Sequence, residues 1–204
     1  MDGGISNRPP NYNNRISFTF ICIANLGMRI IGGHYKGFRF DPPSKIPARP
    51  TTDRAKESLI NILLSNYGVE GKNCLDLFSG TGNIAYELAS QGAESIIAVD
   101  LNFSSVDYIK QIFKALGFEN FKVIKADVFK WIKQNETLKF DLIFADPPYD
   151  HIGMSQLPEL IFSNNLLAPG GLLVIEHRSS LTFQNEHLKN HRDYGQSRFS
   201  FFEY

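Results

Sequence analysis

The chain has 204 residues, 43% of them hydrophobic, which suits one globular domain with a sizeable core. Lys plus Arg equals Asp plus Glu, at 21 each, so net charge alone names no partner. The two cysteines, Cys22 and Cys74, are far apart and lack partners at ligand spacing. That argues against a disulfide framework and a zinc site, and a reducing cytoplasm is the expected location.

Residues 1–14 are rich in Asn, Gly and Pro, a composition that rarely supports a packed core. Ile16 to Ile23 is an apolar run too short to span a bilayer. Ala24-Asn25-Leu26-Gly27 makes a poor signal-cleavage site, so no membrane association is expected. Residues 1–27 are therefore expected to be a loose tail or a mis-assigned start, with Met28 opening the patterned sequence. From Met28 to Lys56 seven Lys/Arg face two acids, a local excess on a neutral chain. Lys36, Arg39, Arg49 and Arg54 are the candidates for contacts to a polyanion. A solvated surface would show the same charges.

Residues 29–40 read as two short strands around glycine turns, with basic and aromatic side chains interleaved. Pro42-Pro43, Pro47 and Pro50 force an extended connector. Thr52 or Asp53 can cap the helix that follows, whose apolar face is Ala55, Leu59, Ile62 and Leu63. Arg54 and Lys56 in its first turn oppose the helix dipole, which suggests that they serve a ligand.

From Asn73 the pattern alternates strictly. Cys74 to Phe78 reads as a strand, Ser79 to Gly82 as a tight turn, and Asn83 to Gln91 as a helix stopped by Gly92. Strand Ser95–Val99 ends in Asp100, a helix covers 103–116, and strand Phe121–Lys125 leads to Asp127 and a short helix. Phe140 to Ala145 is the fourth strand. Met154 to Phe162 reads as helical with Pro158 inside it, Pro169-Gly170-Gly171 as a turn, and Leu172 to Glu176 as the fifth strand. His191 to Tyr194 and Arg198 to Tyr204 form a terminal hairpin around Gly195. The order predicts an α/β fold: a doubly wound, mostly parallel Rossmann-like sheet with a C-terminal antiparallel hairpin and a small N-terminal extension. Residues 28–70 form the basic extension and 71–204 the main domain.

Gly80-Thr81-Gly82-Asn83-Ile84-Ala85 fits G-x-G-x-x-A, with Asp100 about 20 residues beyond. Taken alone this matches a nicotinamide-dinucleotide site. Asp76 inside the preceding strand is less expected there, and suits a ligand presenting an ammonium beside a carboxylate. Asp146-Pro147-Pro148-Tyr149 closes the fourth strand. The prolines fix φ near −65° and remove donors, so a carboxylate, carbonyls and a ring are presented together where α/β sheets bind ligands. A plain strand-ending turn remains the alternative for these residues.

Leu75-Asp76-Leu77-Phe78-Ser79-Gly80-Thr81-Gly82 resembles the first motif of class I S-adenosylmethionine methyltransferases. Asp100 resembles their ribose-binding acid, Ala126-Asp127-Val128 their adenine-binding segment, and Asp146-Pro147-Pro148-Tyr149 the motif of enzymes that methylate exocyclic amines of bases. Met28 to Gly33 and Arg49 to Arg54 are similar to the start of the bacterial family that methylates guanine N2 in 16S ribosomal RNA.

The resemblance covers residues 28–204 and implies S-adenosylmethionine as cofactor, bound by Asp76, Phe78, Gly80, Gly82, Asp100 and Asp127. It implies catalysis by Asp146, Pro147, Pro148 and Tyr149, with 16S rRNA of the small subunit or its assembly intermediate as partner of a monomer. N6-adenine methylation of DNA or RNA, and a non-enzymatic RNA-binding assembly factor, are the other readings. No metal is implied.

Overall fold

The structure, a computed structural model, describes residues 27–46 and 53–204. The 1–26 tail, Arg49 and Thr52 lie outside the described residues. Two-residue strands β1 (Met28–Arg29) and β2 (Arg39–Phe40) pair antiparallel, and α1 follows over Asp53–Asn66. The alternating segment gives β3 (Asn73–Leu77), α2 (Asn83–Ser90), β4 (Ser95–Asp100), α3 (Phe103–Leu116), β5 (Phe121–Lys125), α4 (Val128–Gln134) and β6 (Phe140–Ala145). A 3₁₀ turn at Met154–Gln156, α5 (Leu157–Ser163), β7 (Leu167–Arg178), β8 (Leu188–Tyr194) and β9 (Ser197–Glu203) complete the described chain.

The large sheet has the order β5-β4-β3-β6-β7-β9-β8. β5 through β7 are parallel, while β9 pairs antiparallel with both β7 and β8. From β3 the chain winds outward to β4 and β5, then returns to place β6 on the other side of β3. The winding direction therefore reverses between β3 and β6, the place where such sheets bind ligands.

Successive strand residues supply opposite faces. Cys74, Leu142, Phe144, Leu172 and Val174 join one core with α1, α2, α3 and the small hairpin. Leu75, Leu77, Ile143, Ala145, Leu173 and Ile175 join the other with α4 and α5. Both faces of these central strands are dry, which accounts for their nearly unbroken apolar runs.

Three expectations shift in detail. The Met154–Phe162 segment divides, because Pro158 lies in the first turn of α5, where its missing N–H costs nothing. β7 begins at Leu167 rather than after Gly171, and its register against β6 shifts between Phe140 and Leu142 to absorb the Pro-Gly-Gly step. Lys56 is not a ligand-facing charge. It is fully buried, with Nζ 2.9 Å from Glu87 Oε1 and 2.9 Å from Asn83 Oδ1, and it also donates to the Arg29 carbonyl. Its unfavourable place near the N-terminus of α1 is offset by these three acceptors.

The small hairpin is thereby sewn to α2. Ile31 N donates to Glu87 Oε1, Tyr35 N to Ser90 Oγ, and His34 N to the Ser90 carbonyl. Gly33 lies so close to Ser90 that a Cβ there would sit 1.8 Å from the Ser90 oxygen, so only glycine fits. No helix among the described residues is long and apolar enough to cross a membrane.

Candidate active site

Register puts the glycine loop and the Asp-Pro-Pro-Tyr loop side by side. Leu77 pairs with Ala145 at the carboxyl ends of β3 and β6, and Asp146 N donates to the Leu77 carbonyl at 3.3 Å. Both loops open into one cleft of about 670 Å³. Asp76, Phe78, Gly80, Asp100, Asp127, Asp146, Pro147, Pro148 and Tyr149 all line it.

The loop after β3 is held in an unusual backbone state. Phe78 has φ 59°, Gly80 φ 53° and Gly82 φ 77°. A phenylalanine in the left-handed region carries strain, of the kind that gathers where a ligand is held. Gly80 N donates to Asp100 Oδ2 at 2.8 Å, and Asn102 N donates to Asp100 Oδ1 at 2.7 Å. The acid at the end of β4 therefore tethers the loop at the end of β3. Burial raises the Asp100 pKa and these two N–H groups oppose the rise. A Cβ at Gly80 would meet nothing nearer than 3.9 Å, so the space over it is open. Gly82 faces the other way: its Cα backs onto Tyr86 and Ile109, and it does not line the cleft.

Asp76 lies beneath this loop on β3, 2% exposed. Its Oδ2 is buried without a hydrogen-bond partner among the described residues. Desolvation, with the Asp100 charge adding to it, pushes the Asp76 carboxyl up to about 8, against hydrogen bonds from Ala85 and Ser79. A buried acceptor with no donor, at the floor of a ligand cleft, is suited to a cationic group arriving from outside.

Asp127 serves locally as well as facing the cleft: its Oδ1 accepts from Lys130 N at 2.9 Å and caps α4. Tyr149 is fixed at its tip, its hydroxyl 2.5 Å from Ser197 Oγ. The Arg178 guanidinium lies over its ring, 5.2 Å from the centroid.

Some cleft residues escaped the sequence reading. Leu101 is 66% exposed at the rim. Phe129 and His151 stack at 4.7 Å, each edge-on to Phe78, making one aromatic wall. Met28 reaches the cleft from the small hairpin, where its Sδ accepts from Thr81 Oγ1 at 3.5 Å. Arg178, the last residue of β7, was legible from the rule that strand carboxyl ends hold ligands. Met28 was not, because nothing local to it signals a contact 53 residues away.

Phe103, at the start of α3, is 66% exposed with Lys125 Nζ over its ring, and it does not line the cleft. His34 is exposed. His177, next to the last residue of β7, is buried, with Nε2 2.7 Å from Ser200 Oγ and Nδ1 2.8 Å from the Arg178 carbonyl. Burial lowers its pKa, so it stays neutral and structural.

The sequence profile of the family described as Conserved hypothetical protein 95 matches residues 28–203. The chain belongs to that family. Ribosomal RNA small subunit methyltransferase D of Buchnera aphidicola subsp. Baizongia pistaciae is 32% identical over 154 residues, spanning 76% of this chain and 78% of the relative. The protein of the same name from Escherichia coli K12 is 28% identical over 73% of this chain and 74% of its own length. Among solved structures, a hypothetical protein of Thermus thermophilus superposes with a TM-score of 0.77 at 26% identity, covering 87% of this chain and 99% of that one. The matched region of this family leaves out the 1–27 tail and includes both cleft loops and the small hairpin.

Proposed function

We propose that the protein transfers a methyl group from S-adenosylmethionine to the exocyclic N2 amine of a guanine in 16S ribosomal RNA. The observation that carries this reading is the pairing of Leu77 with Ala145, which opens the glycine loop and the Asp-Pro-Pro-Tyr loop into one cleft. In it the protein acts in the cytoplasm as a monomer on the small subunit or its assembly intermediate. Residues 28–70 present the RNA grip, and residues 71–204 carry the transfer.

The cofactor fits the residues present. The buried, partnerless Asp76 Oδ2 would hold its ammonium, and the open space over Gly80 would admit its carboxylate end. Asp100, Asp127 and the Leu101 side chain would hold the ribose and adenine. When bound, S-adenosylmethionine supplies an electrophilic methyl carbon whose bond to sulfur breaks with the electron pair going to sulfur.

The amine is a poor nucleophile because its lone pair is delocalised into the purine. Asp146 and the Pro147 carbonyl accept its N–H groups, favour a pyramidal nitrogen and aim the lone pair at the methyl carbon. Holding two reactants in line can lower a barrier by about 7–11 kcal/mol, so no strong base is required. On methylation the nitrogen sheds one proton, which Asp146 passes to solvent. Pro147 and Pro148 keep this loop stiff, and Tyr149 offers its ring to the base. The base must leave its stack to reach the cleft, which favours a loop or bulge of the RNA.

Incubating the protein with labelled S-adenosylmethionine and unmodified 30S particles, then mapping the modified nucleotide, tests this. Label on one guanine N2 is expected. Asp146→Ala should lower turnover by at least about 10²-fold, typical of removing one group aimed at the reacting atoms, with cofactor affinity kept. Label on adenine N6, or none, sinks the reading.

A further inference from the structure

Five aspartates line the cleft: Asp76, Asp100, Asp127, Asp146 and Asp150. Arg178 is the single Lys or Arg lining it among the described residues. Ionised carboxylates accept hydrogen bonds and can recognise amines but cannot donate to a carbonyl oxygen, and the one carboxyl here pushed up to about 8, Asp76, is buried at the floor of the cleft. A guanine presented by its N2 amine also presents oxygen 6 and N7, both acceptors, and needs a donor. Tyr149 has its hydroxyl on Ser197, and the His151 ring, stacked on Phe129 with Nδ1 accepting from Gly153 N, offers a single N–H, from Nε2, which cannot hold two acceptors at once. Arg178 is held less firmly. Its side chain is 53% exposed, it pairs at 3.3 Å with an Asp150 side chain that is 91% exposed, and it rests on the Tyr149 ring. An ion pair so open to water contributes little, so the guanidinium can trade it for another acceptor.

Its position is built by the C-terminal hairpin. Arg178 on β7 pairs with Ser197 on β9, the residue that also fixes the Tyr149 hydroxyl. One strand pair thus sets both the ring on which a base stacks and the cation beside it. On the guanine-N2 reading above, we propose that Arg178 is the specificity residue, its guanidinium donating to oxygen 6 and N7 of the base whose amine Asp146 holds. An adenine placed with its amine at Asp146 offers no carbonyl there, so the same cation selects guanine.

The test compares the parent protein with Arg178→Met on two substrates. One is the natural 30S subunit. The other is a 30S subunit reconstituted with 16S rRNA carrying 2-aminopurine at the mapped position, which keeps the 2-amino group and lacks oxygen 6. On guanine, Arg178→Met should lower kcat/KM by roughly 5- to 150-fold, the discrimination of one bidentate pair. On 2-aminopurine, where N7 is the one acceptor left to Arg178, the variant should lose clearly less than it does on guanine. A loss of the same factor on both substrates would show that Arg178 only supports Tyr149, and an unchanged rate on guanine would show no role; either overturns the proposal. Cofactor affinity measured on each protein detects misfolding. Failure of the underlying reading is seen separately, as parent-catalysed label away from guanine N2.

Discussion

Lys56 and Glu87 form an ion pair at 2.9 Å in which neither side chain is exposed. The pair joins the first turn of α1 to α2, the helix that begins at the glycine loop. Asn83, at the start of α2 and in the wall of the cleft, accepts from the same ammonium. The hairpin backbone at Arg29 and Ile31 hydrogen-bonds the two ends of the pair. One buried cation therefore fixes the basic extension and the glycine loop relative to each other.

Removing one partner leaves the other charge buried and uncompensated, which typically costs about 3–5 kcal/mol. Lys56→Met should lower the free energy of unfolding by that amount in urea denaturation. Glu87→Gln in the same background should recover part of the loss, since it removes the stranded charge. Additive losses in the double variant would show that the two residues are not coupled.

The two glycines of the loop should separate folding from binding. Alanine at either position bears the cost of the left-handed region, about 1–2 kcal/mol. At Gly82 the new Cβ would also sit 2.6 Å from the Tyr86 ring and 2.9 Å from Ile109 Cγ1, forcing overpacking worth about 1–3 kcal/mol more. Gly82→Ala should therefore lose about 2–5 kcal/mol in denaturant melts. Gly80→Ala should lose only the smaller part, yet bind S-adenosylmethionine at least about tenfold more weakly, because its methyl group enters the cleft. Normal binding by Gly80→Ala in calorimetry would mean that the cofactor does not lie over that residue.

Much of the fold was legible because its signals are local. β5 and α3 occupy the segments that periodicity marks, with Gly117 ending α3 at φ 68° as a glycine stop should. The cleft loops were legible for the same reason: each sits directly after a strand, and the strands are told apart by their apolar runs. Lys56 was misread because a charge in a first turn looks exposed until a partner on another helix is known. Met28 reaches the cleft only through the pairing of the small hairpin and its packing on the main domain, which a local pattern does not encode. Asp127 shows the opposite case, in which a helix cap and a cleft position coincide in one side chain.

The proposed RNA grip predicts a salt signature. Lys36, Arg39 and Arg54 are all exposed, and the two hairpin residues lie on the element that carries Met28 into the cleft. Removing one phosphate-binding cation should reduce the slope of log affinity against log salt by about 0.7–0.9. Charge reversal at these positions should weaken binding to 30S particles most strongly at low salt and flatten that slope. Affinity for S-adenosylmethionine should not change. If cofactor binding falls instead, the charges support the fold and the grip lies elsewhere.

Asp76 predicts a pH dependence with a definite sign. Its carboxyl is pushed up to about 8 in the folded protein by desolvation and by the neighbouring Asp100 charge, whereas an unfolded chain titrates it near about pH 4. Between those values the folded form binds more protons than the unfolded form, so stability falls as pH rises through the window. Asp76→Asn removes this penalty: without cofactor it should melt above the parent at about pH 8.5, and the two should converge near about pH 4. An arriving ammonium reverses the balance by favouring the carboxylate, so cofactor binding at about pH 7 should release close to one proton. Calorimetry in two buffers of different ionisation enthalpy counts that proton. The count should drop to near zero in Asp76→Asn, along with most of the affinity. A parent protein that binds with no proton release would remove Asp76 as the site of the ammonium.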